Sequence, residues 1–319
     1  MFRPRFVPLL LAATSLYLES CAPTTPDALP TSEELTKTIT QIAMYPEVTC
    51  DTLRTSFDVE YLQLAANPGE IGLEYEEQFA PTPDGETLRI WYVSTQLDRG
   101  IVVIVQGSTG TMECYLFLTQ LLAQKGWSVL MFDYRGFGES SGEPNIGAMH
   151  IDLSAVLDWA TEKTHWETFT LLGVSLGSLP AITVAVEQPE LVNGVVLDSP
   201  VALGEEIRRF QFRYGDETQT LIDMLPWEML PEESVVDMRQ PLLIFESKLD
   251  SITPPASVDL FYERTGGPKE LIVFPHLSHA SGPYHGTGAY SYYLERFLAT
   301  LWDQYVPFTV EISESDGAE

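Results

Sequence analysis

Ser175 is the residue whose setting points most directly to chemistry. It lies at the centre of Gly173-Val174-Ser175-Leu176-Gly177, a G-x-S-x-G pattern. The apolar run Thr170-Leu171-Leu172 precedes it and a stretch rich in small residues follows. That context predicts a strand feeding a helix through a tight turn. A nucleophile at such a turn occupies a strained backbone conformation. Glycines two residues to either side let the strand and helix approach without Cβ clashes. The hydroxyl then projects above the sheet at a helix N-terminus, where backbone N–H groups and the helix dipole favour developing negative charge. A free serine hydroxyl is a weak nucleophile and needs a base. Five histidines are available, at positions 150, 165, 276, 279 and 285. Pro180 falls five residues beyond Ser175, where its missing N–H is tolerable at a helix start.

The surrounding pattern supplies the elements that would position this serine. Residues 73–80 and 87–94 read as two strands around a Pro-Thr-Pro-Asp-Gly turn with Asp84-Gly85 at its tip. Residues 101–106 and 127–133 are continuous apolar runs, the mark of strands buried on both faces. Residues 169–174, 195–198, 242–246 and 270–274 complete the strands. Helical patterns cover 111–125, 151–163, 178–188, 257–265 and 291–304. Strands alternating with helices predict βαβ units and a mostly parallel sheet with right-handed crossovers. Residues 200–240 break the alternation and read as an inserted lid. Residues 34–66 read as mostly helical, forming with the stretch to 72 an extension ahead of the body. No internal repeat is present.

A second motif makes the pattern specific. Phe132-Asp133-Tyr134-Arg135-Gly136-Phe137-Gly138-Glu139-Ser140-Ser141-Gly142 resembles the Asp-x-Arg-Gly-x-Gly-x-Ser loop of many α/β-hydrolase-fold serine hydrolases, the esterase, lipase and serine aminopeptidase superfamily. With the serine elbow, the resemblance runs over residues 73–306. It implies an α/β-hydrolase domain at 73–307: a mostly parallel central sheet flanked by helices, with a short helical lid insert at about 200–240. In this family the chain order is Ser, acid, His. Asp250, in Ser247-Lys248-Leu249-Asp250-Ser251-Ile252-Thr253-Pro254, fits the acid, with Asp198 as its rival. His279, in Phe274-Pro275-His276-Leu277-Ser278-His279, fits the base, with His276 and His285 as nearby alternatives. Glu246-Ser247 stands where the family usually has His-Gly before the acid. The resemblance assigns Ser175 as nucleophile, His279 as general base then acid, and Asp250 as the carboxylate that orients the imidazole. The oxyanion donors would be the backbone N–H groups of Leu176 and of Ser108, in Gln106-Gly107-Ser108-Thr109-Gly110. Gln106 replaces the family's usual His there, which questions loop geometry more than chemistry. Asp133 and Arg135 read as scaffold.

The function implied is hydrolysis of a carboxylic ester or related acyl compound through an acyl-enzyme. A peptidase or amidase of the same fold, and a non-catalytic binding protein on a hydrolase scaffold, are the alternatives. In the insert, Phe210, Phe212, Tyr214, Leu221, Met224, Leu225, Trp227, Met229 and Leu230 either line an acyl pocket or pack the insert onto the sheet. Arg208, Arg209 and Arg213 either meet a substrate anion or pair with neighbours such as Glu205 and Glu206. No phosphate loop, dinucleotide fingerprint or metal motif is present, so no cofactor is expected.

Composition bounds the partners. The chain has 319 residues, 46 acids against 17 bases and a net charge of −29. Such a surface repels phosphate backbones and anionic lipid, which argues against nucleic-acid partners. The expected partners are a small-molecule acyl substrate and a membrane reached through a lipid anchor, and nothing implies a protein one. Residues 1–20 have two early bases, Arg3 and Arg5, and an apolar run from Phe6 to Leu18, the shape of a signal peptide. The run ends at Leu18-Glu19-Ser20-Cys21, which resembles a bacterial lipoprotein signal with Glu19 as a departure. Cys21 would be lipidated and anchor the protein to a membrane of the cell envelope; plain secretion is the alternative. Residues 21–33 would form a tether and 308–319 an acidic disordered tail. Removal of residues 1–20 takes Arg3, Arg5 and Glu19 and leaves a net charge of −30. Cys50 and Cys114 remain, either as one disulfide or as two inert thiols.

Overall fold

The computed structural model describes residues 29–57, 65–209, 215 and 217–303. Its centre is an eight-stranded sheet built from β1 (Glu76–Pro81), β2 (Thr87–Val93), β3 (Ile101–Val105), β4 (Ser128–Phe132), β5 (Phe169–Val174), β6 (Val192–Asp198), β7 (Leu242–Ser247) and β8 (Lys269–Phe274). The strand order is β1-β2-β4-β3-β5-β6-β7-β8. β1 and β2 form an antiparallel hairpin and β2 pairs antiparallel to β4; every pair from β4 to β8 is parallel. The Thr82–Glu86 turn closes the hairpin, with Gly85 at φ +102.

β3, β4 and β5 are buried at every position, which is why their sequences are continuous apolar runs rather than alternating ones. Successive side chains go to opposite layers. Val103 and Val105 join a core that includes Val156 and Leu157 of α4 (Met149–Lys163), Ile182 of α5 (Ser178–Glu187), and Phe261 of a helix at Pro255–Arg264. Val102 and Ile104 join a second core with Leu118 and Leu122 of α3 (Leu116–Ala123), and with Leu294 and Phe297 of a helix at Thr287–Asp303. The chain thus forms three layers, helix on sheet on helix.

The sequence expectations hold for every strand, with shifted ends. β1 begins at Glu76 rather than 73, and β6 begins at Val192 rather than 195. The helix expected over 111–125 divides into a 3₁₀ turn, Met112–Tyr115, and α3. Between β6 and β7 lie short helices at Leu203–Arg208, Glu217–Asp223 and Pro231–Ser234. Leu221, Leu225 and Met229 of this insert are buried, and Leu225 and Met229 belong to the first core. For these, packing is the right description. Trp227 is 45% exposed. Phe210, Phe212, Arg213 and Tyr214 lie outside the described residues.

Ahead of the sheet are α1 (Ser32–Ala43) and α2 (Cys50–Phe57). Thr31 and Glu34 form a reciprocal capping box at the start of α1. Cys50 and Cys114 form a disulfide, which settles the choice left open by the sequence. Residues 1–20, Cys21 and 308–319 lie outside the described residues. Among those described, no helix is long and apolar enough to cross a membrane.

Candidate active site

The strand order reverses direction at β3: the chain steps outward to β4, then returns to place β5 on the other side. Such a switch point opens a crevice at the carboxyl ends of the two strands. The loop after β3 and the turn after β5 meet there. Ser175 follows β5 directly and has φ +52, a strained value for a residue with a Cβ. The turn passes very close to its neighbours. A Cβ on Gly177 would lie 2.1 Å from the Val105 carbonyl oxygen, and one on Gly173 would lie 2.8 Å from the Gly177 oxygen. Only glycine fits at either position.

Two other loops complete the site. The loop after β8 carries His279, whose Nε2 is 2.9 Å from Ser175 Oγ. The loop after β7 carries Asp250, whose Oδ2 is 2.8 Å from His279 Nδ1. With Nδ1–H donating to the carboxylate, Nε2 is left to accept the serine proton. All three side chains are buried. Burial tends to raise the Asp250 carboxyl. The electrostatic pull and hydrogen bond of the His279 imidazole oppose this, together with the Thr253 hydroxyl and N–H, and the net effect holds it below its ordinary value. It is therefore a carboxylate at neutral pH. Ile252 and Thr253 N–H groups donate to Asp250 Oδ1 at 2.9 and 2.8 Å, and Thr253 Oγ1 donates to Oδ2 at 2.8 Å. This loop holds the acid as a fixed acceptor.

Asp198, the rival acid, ends β6 and is fully buried nearby. Burial pushes it up to about 7, against the opposing pull of His279. Its Oδ1 accepts from Ser199 Oγ at 3.3 Å. The structure puts Asp250, not Asp198, on the imidazole. His279 is the histidine hydrogen-bonded to Ser175. His276 and His285 are exposed, His165 is 2.9 Å from Asp98, and His150 sits on α4.

The β3 loop approaches the serine closely. A Cβ on Gly107 would lie 3.4 Å from Ser175 Cβ. The Gly107 N–H donates to Tyr115 Oη at 2.8 Å, so it is committed. The sequence-expected donors, Ser108 and Leu176, flank this point on the loop and on the elbow. Gln106 is buried, and its side chain faces Asp133. Asp133 Oδ1 accepts the Met112 N–H at 2.9 Å, tying the β4 loop to the start of the 3₁₀ turn. Arg135 is held by buried Asp152 at 2.7 Å and by Asp84 at 2.7 Å. Both residues are scaffold, as expected. Glu246 is buried and its carboxylate pairs with Lys248 at 2.5 Å. In the basic cluster, Arg208 pairs with Glu205, and Arg209 with Glu206 at 2.8 Å.

Three contributors escape the motif. Thr253 carries a readable signal, because a carboxylate commonly accepts from the backbone two and three residues on. Tyr115, which binds the Gly107 N–H, and Tyr45, whose N–H donates to the Ser108 carbonyl at 2.7 Å, carry none, since these contacts are made only by the fold. Among the described residues, no group of three or more His, Cys, Asp or Glu side chains is placed to hold a metal ion.

Comparison with known proteins agrees with this architecture. A family model described as the alpha/beta hydrolase fold matches residues 100–223. An uncharacterised protein of Mycobacterium tuberculosis is 28% identical over 202 residues, covering 62% of this chain and 70% of the relative. An alpha/beta hydrolase domain-containing protein of Arabidopsis thaliana is 24% identical over 223 residues, covering 65% and 72%. Among solved structures, the esterase Pf2001 of Pyrococcus furiosus superposes with a TM-score of 0.63 at 22% identity, over 73% of this chain and 95% of that one. The Butyrivibrio proteoclasticus protein Est1E, solved with ferulic acid bound, gives 0.60 at 18% identity, over 71% and 100%. The chain has the α/β-hydrolase fold.

Proposed function

We propose that the chain is a serine hydrolase that cleaves a carboxylic ester through an acyl-enzyme. The observation that carries this reading is the hydrogen-bonded series Ser175, His279, Asp250, at 2.9 and 2.8 Å, with the serine on a strained turn. His279 Nε2 takes the Ser175 proton as Oγ attacks the acyl carbon, then gives it to the departing alcohol. Water repeats the sequence and frees the acid. Asp250 holds the imidazole tautomer and stabilises the imidazolium. The N–H groups of Leu176 and Ser108 receive the oxyanion. The esterases among the structural neighbours support an ester over an amide. The test is labelling by a fluorophosphonate probe. Label on the wild type that disappears in Ser175→Ala is expected, together with turnover of activated acyl esters. Hydrolysis of amino-acid aryl-amides instead would favour a peptidase, and no label on folded wild type would favour a binding protein.

We propose in addition that the chain is exported and anchored through a lipidated Cys21. The sequence around Cys21 supports this. Cys21→Ala is expected to move the protein from the membrane to the soluble fraction of an expressing bacterium.

A further inference from the structure

The loop that carries Ser108 and approaches Ser175 at Gly107 is held from outside the sheet by a segment more than 50 residues earlier in the chain. Tyr45 forms a parallel β-bridge with Thr109. Its N–H donates to the Ser108 carbonyl at 2.7 Å, and its carbonyl accepts the Gly110 N–H at 3.3 Å. On the other side of the same loop, the Gly107 N–H is bound to Tyr115 Oη at 2.8 Å. Residues 107 and 108 are thus fixed from both directions. The peptide between them is the one whose N–H belongs to Ser108.

Both ends of the holding segment are anchored. Met44 is buried, its N–H donates to Thr40, and Thr40 Oγ1 accepts the Ile146 N–H at 3.1 Å. At the far end, Cys50 is bonded to Cys114, the neighbour of Tyr115. The loop also packs on this junction. Gly110 has φ +72, and a Cβ there would lie 2.7 Å from Cys114 Sγ, 3.2 Å from Leu53 Cδ1 and 3.3 Å from the Val48 oxygen. One covalent bond therefore ties together the segment that binds Ser108 and the turn that binds Gly107.

We propose that residues 44–50, closed by the Cys50–Cys114 bond, are a strap that positions the oxyanion loop, with Tyr45 as the positioning residue. The proposal rests on the reading of Ser175 as nucleophile and Ser108 as oxyanion donor. Acyl transfer is then set by the strap at the level of the transition state, because the oxyanion forms only there. Substrate binding in the ground state does not require it.

The experiment compares kcat and KM for p-nitrophenyl acyl esters in four forms of the full-length protein, oxidised wild type, phosphine-reduced wild type, Cys50→Ala/Cys114→Ala and Tyr45→Pro, with Tyr45→Ala as the control for the side chain. The proline removes the N–H that Ser108 accepts, and Met44 at φ −118, ψ 125 already has the extended backbone that precedes proline. All rates are taken well below the melting temperature of each form. The expected result is a kcat lower by about 100-fold with KM changed by no more than about twofold, the scale of a misplaced or lost oxyanion donor. Affinity for a boronic acid, whose tetrahedral adduct places an oxygen where the oxyanion forms, is expected to fall in parallel. Tyr45→Pro is expected to lose more than Tyr45→Ala, which keeps the N–H. An unchanged kcat in all forms, with only the melting temperature lowered, would overturn the strap and leave the triad standing. Oxidised wild type that neither labels nor turns over ester would overturn both readings together.

Discussion

In the proposed mechanism Ser175 is activated by its hydrogen bond to His279, and His279 by its bond to Asp250, two residues from distant loops that can each be removed singly. Asp250→Asn keeps the shape but loses the charge that fixes the His279 tautomer. It is expected to lower kcat by about 10⁴-fold in steady-state ester hydrolysis. Asp198→Asn leaves the 2.8 Å contact of Asp250 with Nδ1 intact and is expected to cost far less in the same assay. Thr253→Val removes the hydroxyl that donates to Asp250 Oδ2. Such a bond to a charged group is worth roughly 1.5–3 kcal/mol, so a loss of no more than about 10- to 150-fold in kcat is expected.

At the scale of elements, the elbow depends on how closely β5, α5 and the end of β3 approach one another. Gly177→Ala places a methyl where the Val105 oxygen lies 2.1 Å away. The strand and helix must separate, at a cost of about 1–3 kcal/mol. Urea melts should show the loss, and fluorophosphonate labelling of Ser175 should fall with it. The Cys50–Cys114 bond spans 64 residues and constrains the unfolded chain strongly. Its removal is expected to lower stability by about 2–4 kcal/mol in the same melts. The effect on kcat predicted for the strap is separate and is measured well below melting.

The whole molecule carries a net charge of −29 and still buries several carboxyls. Asp133, Asp198 and Glu232 are each pushed up to about 7, chiefly by burial. In the unfolded chain such groups release their protons near pH 4. Between about pH 4 and 7 the folded state therefore binds more protons than the unfolded one, and stability falls as pH rises through that window. Repulsion among surface carboxylates grows over the same range. Melting temperature is expected to drop from pH 5 to pH 7.5, with Asp198→Asn flattening part of the slope. Added salt should recover stability at pH 7.5, because screening at 0.1 M acts over about 10 Å.

Much of this was legible in the residues. Continuous apolar runs marked β3, β4 and β5, because strands covered on both faces have no polar side. The elbow was legible because a tight strand-to-helix turn demands glycines at fixed positions around Ser175. Asp250 and His279 follow from the chain order and loop positions of the family that the chain resembles. The ends of elements were less legible: the 3₁₀ turn Met112–Tyr115 is tied to Asp133, Cys50 and Gly107, contacts that periodicity over 111–125 does not show. Only the tertiary structure decided between Asp250 and Asp198. Asp198 ends β6 and Asp250 follows the neighbouring β7, both at the carboxyl ends of the strands, and packing determines which carboxylate meets Nδ1. Only the fold paired Cys50 with Cys114 and brought Tyr45 to Ser108. Contacts across more than 60 residues leave no spacing in the sequence, because the intervening chain can close that loop in many ways and packing selects one.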